Sequence, residues 1–216
     1  MRTLSWLLSF ALWGAASQTI NFDSVRPGTL PPGWTAVISN AEASSKWEVI
    51  KDPSAPSPPY VLARVSPEAA ARCAIAILDK TNVKDGDLSV KVKPVAGRED
   101  RVGGLVWRYR DPKNYYVVRA NALENNIVMY KVEDGKRIPL ASKGAAHGSF
   151  GVTHPVPANQ WSVLKVQFHG PQFSVYFNHK RLFEVQDSTF RNSGKVGLWT
   201  KADSVTYFDD FRIAGK

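Results

Sequence analysis

The sequence predicts an all-β chain folded as a two-sheet antiparallel β-sandwich. Three observations carry that reading. About a dozen short segments are rich in Val, Ile, Tyr, Phe and Trp, residues that fit a pleated, half-buried surface. Clusters of Gly, Pro, Asn and Asp separate them at regular spacing. Beyond the first residues, no stretch has the 3.6-residue apolar period of a helix, and there is no repeat or low-complexity tract. Many short strands at even spacing fold as a sandwich or a barrel.

The composition sets the frame. A chain of 216 residues is long enough for one domain with a sizeable core. Hydrophobic content of 44% against 22% charged argues against disorder. The opening MRTLSWLLSFALWGAAS has one Arg, an apolar run and then small residues, the make-up of a secretory signal peptide over residues 1–17. Cleavage is expected near Ala16 to Gln18, leaving a single domain over 18–216 that is secreted or periplasmic. The run is too short for a spanning helix, and no other stretch is apolar enough for one. The net charge of +9 falls by one when Arg2 leaves with the leader. A basic chain suits anionic partners. The Lys and Arg residues are scattered rather than clustered, so nucleic acid is not the expected partner. One cysteine, Cys73, excludes an intramolecular disulfide and reads as an inert packing residue.

In chain order, Thr19–Ser24 reads as a first short strand. Pro27, Gly28, Pro31, Pro32 and Gly33 form a rigid loop ending at Trp34. Trp47–Ile50 is a brief strand. Lys51–Pro59 holds four prolines and is an extended loop. Tyr60–Val65 alternates as a strand. Ser66-Pro67-Glu68 before Ala69–Ala71 has the chemistry of a capped helical turn. Cys73–Leu78 is again strand-like. Asp85-Gly86-Asp87 signals a hairpin, and Leu88, Val90 and Val92 then alternate with Ser89, Lys91 and Lys93. Arg137–Ser142 is extended, and 143–159 reads as a long loop. Trp161–Phe168, Phe173–Phe177 and Leu182–Val185 are strands, with Asn178-His179 turning between the last two. Lys195–Thr200 and Val205–Ile213 close the chain.

The most informative stretch is Val102–Glu133. Gly103–Tyr109, Tyr115–Ala120 and Ile127–Glu133 read as a three-strand meander joined by Asp111-Pro112-Lys113-Asn114 and Leu123–Asn126. The stretch carries Arg108, Arg110, Arg119, Asn121, Glu124, Asn125, Asn126 and Lys131 among Trp107, Tyr109, Tyr115, Tyr116 and Tyr130. A purely structural sheet has no need of that mixture. A face that binds sugar or acid does.

Two further motifs, WxVLKVxFxGxxFxVYFNxxxLFEVxD at Trp161–Asp187 and GKVGLWTKADSVTYFDDFRI at Gly194–Ile213, resemble the secreted concanavalin A-like, laminin-G-like jelly rolls. More narrowly they resemble bacterial 3-keto-disaccharide hydrolase domains. The resemblance covers roughly Asn21 to Ile213. It implies two curved sheets, saccharide bound on the concave one, and N- and C-terminal strands as neighbours, which places Asn21–Asp23 near Tyr207–Asp210. Architecture of this kind hosts lectins, glycosidases, lyases and adhesion modules, so activity has to be argued from residues.

Several constellations of side chains bear on activity. The family 16 glycoside hydrolases share this fold and carry Glu-x-Asp-x-x-Glu, which sets carboxylates on one face as nucleophile and acid. This chain has no such spacing. Alternation places Val106 with Arg108 on one face and Leu105, Trp107 and Tyr109 on the other. If Arg108 and Arg119 share the concave face, they form a donor pair for carboxylate or vicinal hydroxyls. Asn121, Glu124 and Tyr130 add polar groups there, and Trp199 and Lys201 lie on one face of a later strand. An aromatic ring beside convergent polar groups is the make-up of a sugar subsite. The alternative is a solvated ion pair over core aromatics. Asp23, Asp209 and Asp210, with Asp203, could hold a structural Ca²⁺ where the termini meet. His147 and His154 lack zinc spacing, and Ser149 lacks a nucleophile elbow. Trp34, Trp47 and Trp161 read as core or rim packing.

The expectation is a secreted carbohydrate-binding sandwich that engages poly- or oligosaccharide on its concave sheet. One alternative is cleavage of keto-glycosides, as the resemblance implies, with Glu124 as base and Arg119 or Lys201 as electrophilic partner. The other is a non-sugar adhesion module.

Overall fold

The structure, a computed structural model, describes residues 17–39, 45–65, 73–144 and 149–215. Residues 1–16 of the expected signal peptide, the expected capped turn at 66–71 and His147 lie outside the described residues. Among those described there is no helix, and two antiparallel sheets of eight strands each form an open sandwich.

The first sheet holds β1 (Ser17–Ile20), β3 (Trp47–Lys51), β4 (Tyr60–Arg64), β6 (Gly86–Ala96), β12 (Ser162–His169), β13 (Gln172–Phe177), β14 (Lys180–Gln186) and β16 (Val205–Gly215). Its order is β14-β13-β12-β6-β16-β4-β3, with β1 also on β16. The second holds β2 (Trp34–Ile38), β5 (Cys73–Val83), β7 (Val102–Asp111), β8 (Asn114–Asn121), β9 (Asn126–Glu133), β10 (Lys136–Pro139), β11 (Val152–Thr153) and β15 (Gly194–Lys201). Its order is β10-β9-β8-β7-β15-β5-β2, with β11 on β9. The meander is therefore β7-β8-β9, and the first and last strands are neighbours, with Thr19 opposite Arg212.

The period-2 segments point as their spacing predicts. Leu88, Val90 and Val92 of β6 face Leu164 and Val166 of β12 and Phe173, Val175 and Phe177 of β13 in one core layer. Leu105 and Trp107 of β7 and Val196 and Leu198 of β15 form the facing layer. Trp107 lies fully buried between the sheets, stacked 5.4 Å from Tyr116 and edge-on to Phe173 at 5.4 Å. Complete burial of an apolar side chain of this class is worth roughly 1.5–3 kcal/mol, so this aromatic knot is a principal source of cohesion.

Four element boundaries differ from expectation. The first strand ends at Ile20, because Asn21–Ser24 turns and the Asp23 carboxylate accepts from Tyr60 N at 3.1 Å. Trp34 opens a strand rather than ending a loop: β2 pairs with β5, and the Trp34 ring packs on Phe22 and Phe211. β5 runs on past Leu78 to Val83, which pairs with Gly194, and the polar Asp79–Asn82 lie in the irregular stretch between the two paired positions. The long loop contains the two-residue strand β11. Of the remaining tryptophans, Trp47 is core, while Trp161 sits outside the first sheet with Lys93 Nζ 5.3 Å from its ring.

The second sheet bears a second apolar cluster on its outward face: Ile75, Ile77, Val102, Val106, Tyr109, Tyr115, Val117, Val132 and Trp199. This face is concave. Ser39, one residue beyond edge strand β2, accepts a hydrogen bond from Tyr115 Oη of β8 at 3.1 Å and donates to Pro112 O at 2.9 Å. Three strands separate β2 from β8 in the sheet, so the sheet must curl to bring these groups together.

Candidate functional site

The floor of this hollow is apolar and its rim on the β8-β9-β10 side is polar. Strand pitch explains the arrangement. Tyr115, Val117, Arg119 and Asn121 alternate onto the concave face of β8, and Val128, Tyr130 and Val132 onto that of β9. Arg119 is nearly buried, and its guanidinium donates to Glu124 Oε2 at 2.7 Å, to Tyr130 Oη at 3.1 Å and to Asn126 Oδ1. Asn126 Nδ2 in turn donates to Glu124 Oε2 at 3.1 Å.

The turn that presents Glu124 is fixed from below. Asn121 Oδ1 accepts from Leu123 N at 2.9 Å and Glu124 N at 3.3 Å, an Asx-type closure. Asn125 takes the left-handed backbone at φ 48°, and its side-chain and main-chain oxygens accept from Val156 N and His154 N. Asn121 Nδ2 donates to Asp100 Oδ1 at 2.8 Å, and Asp100 Oδ2 receives Lys201 Nζ at 2.5 Å. Glu124 is thus held by backbone and side chain together, with about half of its side chain open to solvent. Burial pushes its carboxyl up, but the charge and hydrogen bond of Arg119, the Asn126 amide and the charge of Lys201 pull further, holding it below the usual carboxylate range.

The floor continues to Trp199, which is almost fully buried on the same face of β15 as Lys201. Its Nε1 lies beside the Cys73 thiol and the Tyr115 hydroxyl but meets hydrogen-bond geometry with neither. Burial pushes the Cys73 thiol up despite Arg137 and Lys201, so it is a poor nucleophile.

The structure therefore brings Arg119, Asn121, Glu124, Tyr130 and Lys201 to one rim, with Trp199 beneath. Arg108 does not join them. Val106 is opposite Gly197 and Tyr109 opposite Lys195, so β7 carries one extra residue against β15. Arg108 is in that bulge at φ 47°. The bulge reverses the expected faces: Tyr109 turns onto the hollow with Val106, and Arg108 is buried away from it. Its guanidinium donates to the carbonyls of Phe190 and Gly170, both at 2.7 Å, and of Lys84 at 3.1 Å, and pairs with Asp85 at 3.4 Å. It ties three loops together and has no place in a ligand site.

The proposed calcium ligands are also otherwise engaged. Asp23 accepts from Tyr60 N, Asp209 from Ser57 N at 2.8 Å and Asp210 from Ser57 Oγ at 2.7 Å, and Asp210 also pairs with Lys91. Among the described residues no group of three or more His, Cys, Asp or Glu side chains is placed to hold a metal ion.

Two rim residues were not singled out from sequence. Asp100 lay in the turn-like Arg98–Arg101, far in the chain from its partner Lys201. Arg137, on β10, places its guanidinium 4.9 Å from the Tyr130 ring centre, where Arg119 also lies at 5.7 Å. A lone Arg after a Gly-Lys turn gives no sequence signal of such a contact.

Comparison with solved structures places this architecture. A carbohydrate-binding module from Bacillus subtilis superposes with a TM-score of 0.63 at 19% identity, covering 83% of this chain and 94% of that one. Bacillus licheniformis β-glucanase gives 0.55 at 11% identity, over 95% of this chain and 100% of that one. A Bacillus subtilis protein described as having a galectin-like fold gives 0.51 at 14% identity, over 72% and 82%. The fold is a concanavalin A-like jelly roll. No protein-family model matches the sequence, and no curated protein does. No helix among the described residues is long and apolar enough to cross a membrane. Within the jelly roll, the Arg119–Glu124 rim stands on the curled sheet, beside the hollow that the curl creates.

Proposed function

We propose that this protein is an exported carbohydrate-binding jelly roll that takes a saccharide at the Arg119–Glu124 rim of its concave sheet. The observation that carries the reading is the preorganised, half-open polar network there. Arg119 donates from one guanidinium nitrogen to both Glu124 and Tyr130, and Asn121 fixes the turn beneath. Sugar hydroxyls are recognised by such fixed, convergent groups beside apolar surface. Structural neighbours named as a carbohydrate-binding module and a β-glucanase share the fold and agree with the reading.

Binding suits the rim better than cleavage. A carboxylate held ionised by a guanidinium is a good hydrogen-bond acceptor and a weak base, and the other rim carboxylate, Asp100, is engaged by Lys201 and Asn121. Affinity electrophoresis against a panel of soluble polysaccharides, followed by calorimetry on the best hit, tests the proposal. Retardation lost in Glu124→Gln and Arg119→Met supports it. Retardation unchanged in both would remove this rim from consideration.

A further inference from the structure

The rim is not charge-balanced, and the imbalance speaks to the ligand's chemistry. Three cations gather at it: Arg119, Lys201 and Arg137. Two carboxylates answer them, and both are spent: Glu124 on Arg119 and Asn126, Asp100 on Lys201 and Asn121. Arg137 is exposed on the short edge strand β10 and makes no hydrogen bond or ion pair among the described residues; its guanidinium rests on Tyr130. Arg137 is paired with Val132, whose side chain belongs to the apolar floor, so it lies on the concave face of the sheet. Contact with an aromatic ring orients a guanidinium while leaving its N–H edge free.

Resting on the reading of this rim as a saccharide site, we propose that the ligand is an anionic saccharide, whose carboxylate or sulfate group is taken by the free N–H fork of Arg137. Glu124 would then accept from a ring hydroxyl, and the apolar floor would face the sugar's carbon skeleton. A neutral sugar leaves the odd cation unanswered. A charge-assisted, two-pronged contact here should favour the anionic sugar about tenfold or more, with affinity falling as salt rises.

The test pairs each anionic probe with its neutral twin. Oligomers of galacturonate, glucuronate and mannuronate are titrated beside their methyl esters, and a sulfated galactan beside its desulfated form. Preference for a uronate or for the sulfated polymer, abolished in Arg137→Gln, supports the proposal and says which anion is read. Equal or tighter binding of the neutral twins overturns it while leaving the saccharide site standing. If none of the probes binds, neutral or anionic, both readings fall. Arg137 is exposed, so its substitution leaves the core intact, and a melting curve for Arg137→Gln that overlays the parent's checks this.

Discussion

Arg119 Nη2 stands 2.7 Å from Glu124 Oε2 across the β8–β9 turn, a nearly buried guanidinium against a half-exposed carboxylate. That asymmetry lets the pair orient a ligand group without contributing much to stability. The Glu124 carboxyl is held below its ordinary range, so its contribution is present above the unfolded value and lost as pH falls through the folded one. Solvent screening keeps it under about 1 kcal/mol. Glu124→Gln should therefore melt within a few degrees of the parent, yet bind saccharide about tenfold more weakly, the equivalent of about 1.4 kcal/mol. Thermal melting and calorimetric titration read the two effects separately. An unchanged affinity would show that the pair is only a surface ion pair.

Arg108 is where stability should be most sensitive among the polar residues. Its buried guanidinium satisfies the carbonyls of Lys84, Gly170 and Phe190 and touches the faces of Phe168 and Phe173. Arg108→Leu strands those carbonyls and the Asp85 charge. A loss of about 3–5 kcal/mol is expected in urea unfolding. Saccharide affinity of the folded fraction should be unaltered, because the side chain lies off the hollow. A loss below about 1 kcal/mol would contradict the role of loop tie assigned to it.

Gly103 marks a tight approach between the sheets. A Cβ there would lie 2.5 Å from Val92 Cγ2 and 2.9 Å from Thr206 Cγ2, two β-branched side chains that cannot swing aside. Gly103→Ala should cost about 1–3 kcal/mol through overpacking. The paired change Gly103→Ala with Val92→Ala should recover part of that loss. If the single variant is as stable as the parent, the sheets are not packed as closely as Val92 and Thr206 indicate.

The strands whose side chains alternate strictly were legible in the sequence. Leu88-x-Val90-x-Val92 and Phe173-x-Val175-x-Phe177 can bury only one face, so period alone settles their orientation. The rim was half legible: Arg119, Asn121 and Tyr130 follow from the pitch of β8 and β9, and Trp199 with Lys201 from that of β15. What escaped has one physical cause, which is that pitch carries no information across a bulge or between distant strands. One extra residue at Arg108 reversed the assignment of Arg108 and Tyr109. Asp100 meets Lys201 only because β7 and β15 pair, and Arg137 reaches Tyr130 only because β10 folds back on β9. β2 was hidden for a related reason. Its pairing with β5, not the Pro-Gly run before it, makes Trp34–Ile38 a strand.

The most distinctive pH response should come from Asp209, on the opposite sheet from the rim. It is fully buried in β16, its Oδ2 accepting from Ser57 N and its Oδ1 from Asp210 N, both at 2.8 Å. Burial pushes its carboxyl up; the two backbone donors resist, and the charges of Asp210 and Asp23 add to the rise, giving about 6 against an ordinary 3.8. A raised folded value means the native state holds this proton more tightly than the unfolded chain does. Its contribution is therefore most favourable below about pH 4 and is lost as pH climbs through about 6. Above that, the ionised buried group costs about 3 kcal/mol relative to its protonated form. Lys91, 2.7 Å from Asp210, partners the neighbour rather than Asp209 itself. Asp209→Asn removes the titration but also exchanges one acceptor for a donor, so its stability at a single pH is ambiguous. The slope is not: melting temperatures of variant and parent, plotted from pH 4 to pH 8, should show the variant gaining on the parent between about pH 4 and pH 7, then running parallel. Curves parallel throughout would mean that Asp209 titrates at its ordinary value and that the Ser57 contact already solvates its charge.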